Sequence, residues 1–116
     1  MSEKDRDIIL FIEDILSAIQ KIEKYTSDKT ASEFQKDDMA LDAVIRNFEV
    51  IGEAARNIPA ATQSRFPAVE WKEVVGFRNI LIHNYFGVDV ESVWDTVQKN
   101  IPLLKQHVLA MKASLM

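Results

Sequence analysis

The residues best suited to chemistry lie together in one short segment, Arg78-Asn79-Ile80-Leu81-Ile82-His83-Asn84-Tyr85. A guanidinium offers a rigid fork of donors that fits a phosphate, and an imidazole titrates near neutrality, where it can take or give a proton. That pair is a sufficient minimum for metal-free RNA cleavage, because the ribose 2′-hydroxyl is the nucleophile and the protein need only move protons and stabilise charge. His83 would take the 2′ proton or protonate the 5′ leaving oxygen, and Arg78 would hold the phosphate. Asn79 and Asn84 could touch the same ligand or satisfy groups at a helix end. Tyr85 is a phenol with an apolar ring and a polar tip, suited to a boundary between core and water.

The spacing sets a geometric problem. Five positions along a straight helix separate Arg78 from His83 by about 140° and about 7.5 Å. The two converge on one phosphate if Arg78 reaches round, if the helix bends, or if the segment meets its twin across a two-fold axis. A structural reading competes. Arg78 is in line with Trp71, Val74, Leu81 and Tyr85, so its charge interrupts an apolar stripe and needs a partner, for which Glu49 and Glu53 are candidates. A histidine near a helix C-terminus also interacts favourably with the helix dipole.

Helices must position this segment. Ser2 and Asp5 resemble a capping box, followed by Ile8, Ile12, Ile15, Leu16, Ile19 and Ile22 at helical spacing to about Tyr25. After the polar stretch 26–30 and a short turn over 32–36, a second long pattern begins near Asp37. It buries Leu41, Val44, Phe48, Ile51, Ala55 and Ile58 until Pro59 stops it. A connector with one short helix leads to a third long helix from Ala68, with Trp71, Val74, Val75, Leu81 and Ile82 inward and a stop before Gly87. Asp89 caps a fourth, whose face holds Val90, Val93, Trp94, Val97, Ile101, Leu104 and Val108, with a kink expected at Pro102. No run alternates as a strand would. The expectation is an all-α antiparallel bundle of four long helices and a short helical connector, in one domain over 1–116. Gly52 and Gly76 fall inside helices at a cost of roughly 1 kcal/mol each, which close packing explains for Gly52 and leaves open for Gly76.

Composition bounds the rest. The 116 residues include no cysteine, which removes disulfides and thiolate metal sites, and there is no histidine pair at ligand spacing; His107 is expected at the surface. No metal site and no cofactor are expected. The N-terminus lacks a signal-peptide pattern and no apolar run is long enough to span a bilayer, so a soluble cytoplasmic protein without membrane contact is expected. Lys and Arg number 14 against 18 Asp and Glu, for a net charge of −4, which argues against coating nucleic acid with the whole surface. Residues 1–42 carry 6 basic and 11 acidic side chains, and Arg46, Arg56, Arg65 and Arg78 cluster after them, leaving room for a local anion site.

Arg78, four residues, His83, one residue and Tyr85 resemble the Arg-x4-His-x-Tyr motif of the HepT toxins, a branch of the HEPN superfamily. The segment from Ala43 to Ala55, with Ile51-Gly52-Glu53-Ala54 at its centre, is similar to that family's second helix. Trp71 to Asp89, Trp94 and Leu103-Leu104 are similar to its third and fourth. The resemblance implies a HEPN-like bundle that forms a homodimer with both motifs in one cleft and acts as a metal-independent endoribonuclease on RNA such as tRNA or messenger RNA. Arg78 and His83 would be catalytic; Asn79, Asn84 and Glu53 are candidates for support on the residues alone, outside what the resemblance implies. It also implies a partner, an MNT-type nucleotidyltransferase antitoxin that attaches AMP to Tyr85 and so silences a toxin of a toxin–antitoxin pair. AMP there would put negative charge where an RNA phosphate must sit. Two other readings stand beside this one: a non-catalytic module that binds a nucleotidyltransferase and helps present nucleotide or substrate, and an inert scaffold in which Arg78 is paired with Glu53.

Overall fold

The computed structural model describes residues 2–83 and 89–116, with side chains for 2–77 and 89–116. Four of the helix starts among the described residues carry a side-chain cap. Ser2 Oγ accepts from the Asp5 backbone N–H at 3.1 Å and opens α1, Glu3–Thr26, in which Ile8, Ile12, Ile15, Ile19 and Ile22 are buried. The polar stretch begins inside this helix, because Thr26 is buried and returns its hydroxyl to the Ile22 carbonyl at 2.8 Å. Thr30 and Glu33 form a reciprocal capping box at 3.1 and 3.0 Å that starts α2, Ala31–Gln35. That five-residue helix places Phe34 fully in the core, with its ring 5.2 Å from Trp94.

Asp37 caps α3, Asp38–Asn57, accepting from the Ala40 backbone N–H at 3.0 Å. That bond, with Lys29 Nζ at 3.5 Å, holds the Asp37 carboxyl below the ordinary carboxylate range. A carboxyl whose folded pKa is depressed adds stability above its unfolded value and loses it as pH falls through the folded value. The urea midpoint of wild type is therefore expected to drop on the acid side of the carboxylate range. Asp37→Asn, which keeps an acceptor but no charge, should flatten that drop, and equal slopes for the two proteins would refute the assignment.

Ile58 turns extended before Pro59, ending α3, and α4, Ala60–Arg65, follows. The third long helix, α5, runs Trp71–His83. It starts three residues later than the periodicity suggests. Residues 66–70 form a turn, with the Val69 N–H donating to the Phe66 carbonyl and the Trp71 N–H to the Val69 carbonyl. Asp89 Oδ1 accepts from the Ser92 N–H at 3.3 Å and opens α6, Val90–Leu115, which continues through Pro102. The described residues are helical with no strand, as an all-α fold requires, and among them α2 and α4 are short helices where the sequence suggested a turn and one short helix.

Among the described residues α1 packs on α3 and α6, α3 on α5, and α2 on α3 and α6. Lys112 Nζ meets Glu13 at 2.8 Å and Lys105 Nζ meets Glu23 at 3.1 Å, so rising numbers in α1 oppose falling numbers in α6 and the two run antiparallel. Most of the expected isoleucines and valines are in the core, which also takes in Phe34, Val69, Phe77, Met111 and Leu115, while Leu16, Leu41, Trp71, Val75, Val90 and Trp94 are only partly buried. Among the described residues no helix is long and apolar enough to cross a membrane.

Candidate functional site

The candidate segment closes α5, and three contacts fix that helix. The Trp71 indole N–H donates to the carbonyls of Gln63 at 3.1 Å and Phe66 at 3.0 Å, and Gln63 Nε2 in turn donates to the Ala55 carbonyl at 3.1 Å near the end of α3. This requirement for acceptors explains why Trp71 is half-buried and not a core residue. Two turns on, Phe77 is buried and its ring centroid is 5.2 Å from that of Phe48. The start of α5 thus lies by the end of α3 and its middle by the middle of α3, an antiparallel register that carries the rest of α5 toward the first half of α3. Val74 completes the buried side. The sequence reading omitted Phe77, although it lies three residues after Val74 on the same side, which was the signal available.

Position 78 directly follows the clamped Phe77, and position 83 is the last residue of α5. The helix is unbroken between them, so their backbone directions differ by about 140°. Position 78 falls about 40° from the buried Val74 and about 100° from Phe77 around the helix. Position 83 falls seven residues after Gly76, about 20° short of two full turns, on the side opposite Val74. One chain therefore offers the two positions in different directions. The side chains of Arg78, Asn79 and His83 lie outside the described residues, as do Asn84, Tyr85 and the stop expected at Gly87.

The neighbouring charges are partly engaged. Glu49 Oε2 pairs with Arg46 at 3.5 Å and Glu53 Oε1 with Arg56 at 3.5 Å, both one turn apart on α3. Whether Arg78 also meets Glu49 or Glu53 rests on a side chain outside the described residues. Arg65 stacks over the ring of Phe66 at 5.5 Å. The three described arginines of the cationic stretch thus each have a local partner.

Gly76 has an ordinary helical φ, and a Cβ built on it would meet nothing within 4 Å. Among the described residues, neither backbone conformation nor packing requires glycine there. Gly76→Ala is accordingly expected to raise stability by about 0.5–1 kcal/mol in urea unfolding. A loss of stability would mean that this space is filled.

A family model described as ribonuclease HepT-like matches residues 15–111. "Putative RNase MJ1380" of Methanocaldococcus jannaschii is 44% identical over 103 residues, covering 89% of this chain and 94% of that one. "Probable ribonuclease HepT" of Thermococcus cleftensis is 44% identical over 95 residues, covering 82% of this chain and 86% of that one. "Gamma-glutamylcyclotransferase and putative RNase MJ0434", also from Methanocaldococcus jannaschii, is 41% identical over 110 residues; the match covers 95% of this chain but only half of that protein's length. No solved structure gave a significant match.

Proposed function

The chain belongs to the ribonuclease HepT-like family, and from that premise we propose that it is the toxin of a toxin–antitoxin pair, a metal-independent endoribonuclease whose working site is built by two copies. The observation that carries this reading is the unbroken helix α5, which turns position 83 away from position 78 and so favours a site shared between chains. In a symmetric pair the one shared cleft receives two arginines and two histidines. One imidazole takes the proton of the 2′-hydroxyl as its oxygen attacks phosphorus, and the other gives a proton to the departing 5′-oxygen. The products are a 2′,3′-cyclic phosphate and a free 5′-hydroxyl. Arg78 offsets the charge that builds on the phosphoryl oxygens. Asn79, Asn84 and Glu53 are proposed to hold this arrangement in place.

Regulation follows from Tyr85, two residues beyond His83. A nucleotidyltransferase partner would join the phenolic oxygen to the α-phosphorus of ATP with loss of pyrophosphate. The attached AMP adds a phosphodiester charge and bulk beside His83.

The test is cleavage of a mixed tRNA and messenger RNA pool by the purified chain in excess chelator. Cleavage with 2′,3′-cyclic phosphate ends is expected. Loss of activity in chelator would overturn the metal-free mechanism, and an inert wild type would favour the non-catalytic module, a reading to which the net charge of −4 lends support. With the partner and ATP added, wild type should gain the mass of one AMP and fall silent, whereas Tyr85→Phe should gain no mass and remain active.

A further inference from the structure

Helices α5 and α6 leave a groove of about 180 Å³ between them. One wall is Ala68, Val69 and Glu70 of the turn before α5 with Glu73, Val74 and Phe77 of α5, and the other is Asn100, Leu103, Leu104 and His107 of α6. The α6 wall is a stripe at i, i+3, i+4 and i+7, two helical turns long, and α5 faces it with Glu73, Val74 and Phe77 over about one turn, a footprint on which another helix can lie. His107 is therefore a half-buried groove residue and not the plain surface residue that the sequence suggested.

The floor is apolar, with Val69, Val74, Phe77 and Leu104 buried, and Leu103 continues the apolar surface outward at 56% exposure. The rim is acidic. Among the described residues the Glu70 and Glu73 carboxylates take part in no ion pair or side-chain hydrogen bond. An apolar floor beneath two uncommitted carboxylates is complementary to a segment that presents leucine-like side chains and a cation together. RNA is a poor occupant, since its phosphates would face those carboxylates.

We propose that the α5/α6 groove docks an amphipathic basic helix of a different protein, with an arginine or lysine set between Glu70 and Glu73 and apolar side chains on Phe77, Leu103 and Leu104. The proposal does not depend on the ribonuclease reading, since it uses neither Arg78 nor His83.

The probe is a synthetic amphipathic leucine–arginine helix, compared with the same peptide carrying citrulline for arginine. Both are titrated into the isotope-labelled full chain and followed by NMR. The arginine peptide is expected to shift the resonances of Val74, Phe77, Leu103, Leu104 and His107, and to bind at least about tenfold more weakly to Glu70→Gln/Glu73→Gln, because charge-assisted contacts are lost. The citrulline peptide should match that weakened binding. A control pair on the exposed start of α1, Glu3→Gln/Asp7→Asn, should bind like wild type. Equal affinity for wild type and Glu70→Gln/Glu73→Gln, or shifts centred elsewhere, would overturn the proposal. Concentration-dependent shifts at the groove without peptide would overturn it in favour of a second copy.

Discussion

Replacing His83 by alanine is expected to lower metal-free RNA cleavage by about 10²–10⁴-fold while leaving helical content and the urea midpoint near wild type. Position 83 ends α5 on the side opposite Val74, and alanine is a good helix former, so the substitution asks little of the bundle. Arg78→Ala is expected to reduce cleavage by about 10²–10³-fold, but with some effect on stability as well, because position 78 is about 40° around α5 from the buried Val74. Arg78→Lys should recover only part of the activity, since an ammonium cannot make the two-pronged contact of a guanidinium. The shared-site proposal adds a sharper result. Mixing Arg78→Ala with His83→Ala chains should restore some cleavage if the cleft draws on both copies. Cleavage by His83→Ala at the wild-type rate would sink the assignment, whereas loss of folding in Arg78→Ala without any wild-type activity would point to the inert scaffold.

The fold was largely legible in the sequence because its signals are local. The isoleucines of α1 recur at helical spacing, Pro59 forbids continuation of α3, and Asp89 stands where a cap is needed before Val90. The differences lie where a side chain chose a non-local partner. Thr26 looked like a breaker, yet it is a helical residue because its hydroxyl returns to Ile22. Ala68 looked helical, but the Trp71 indole draws residues 66–70 into a turn by taking the Gln63 and Phe66 carbonyls. Leu41, expected in the core, is half-buried, since a period of 3.6 marks the facing side of a helix but not how far its edge is covered.

The candidate site was legible in residue type and only partly in arrangement. Spacing alone gave the separation between positions 78 and 83, and the unbroken α5 keeps it. What spacing could not supply was the clamp behind the site, because the Phe48–Phe77 contact joins two helices across a connector. The α5/α6 groove escaped for the same reason. Glu70, Glu73 and His107 are unremarkable until two helices bring them together.

That clamp carries the largest expected effect on stability. Phe48 is 2% exposed and its ring lies 5.2 Å from Phe77, tilted by 33°. Phe48→Ala removes a buried ring from the α3–α5 contact and leaves a cavity, so a loss of about 3–5 kcal/mol is expected in urea unfolding. Phe48→Leu, which keeps most of the volume, should cost markedly less. A double-mutant cycle of Phe48→Leu with Phe77→Leu should return a coupling of about 0.5–1.5 kcal/mol, the part specific to the ring pair. Because Phe77 immediately precedes Arg78, Phe48→Leu should also lower cleavage at temperatures where the variant is fully folded, through looser placement of α5. Unchanged cleavage in a folded Phe48→Leu would mean that the site is held by contacts beyond this clamp, and a coupling near zero would mean that the two rings fill space without recognising each other.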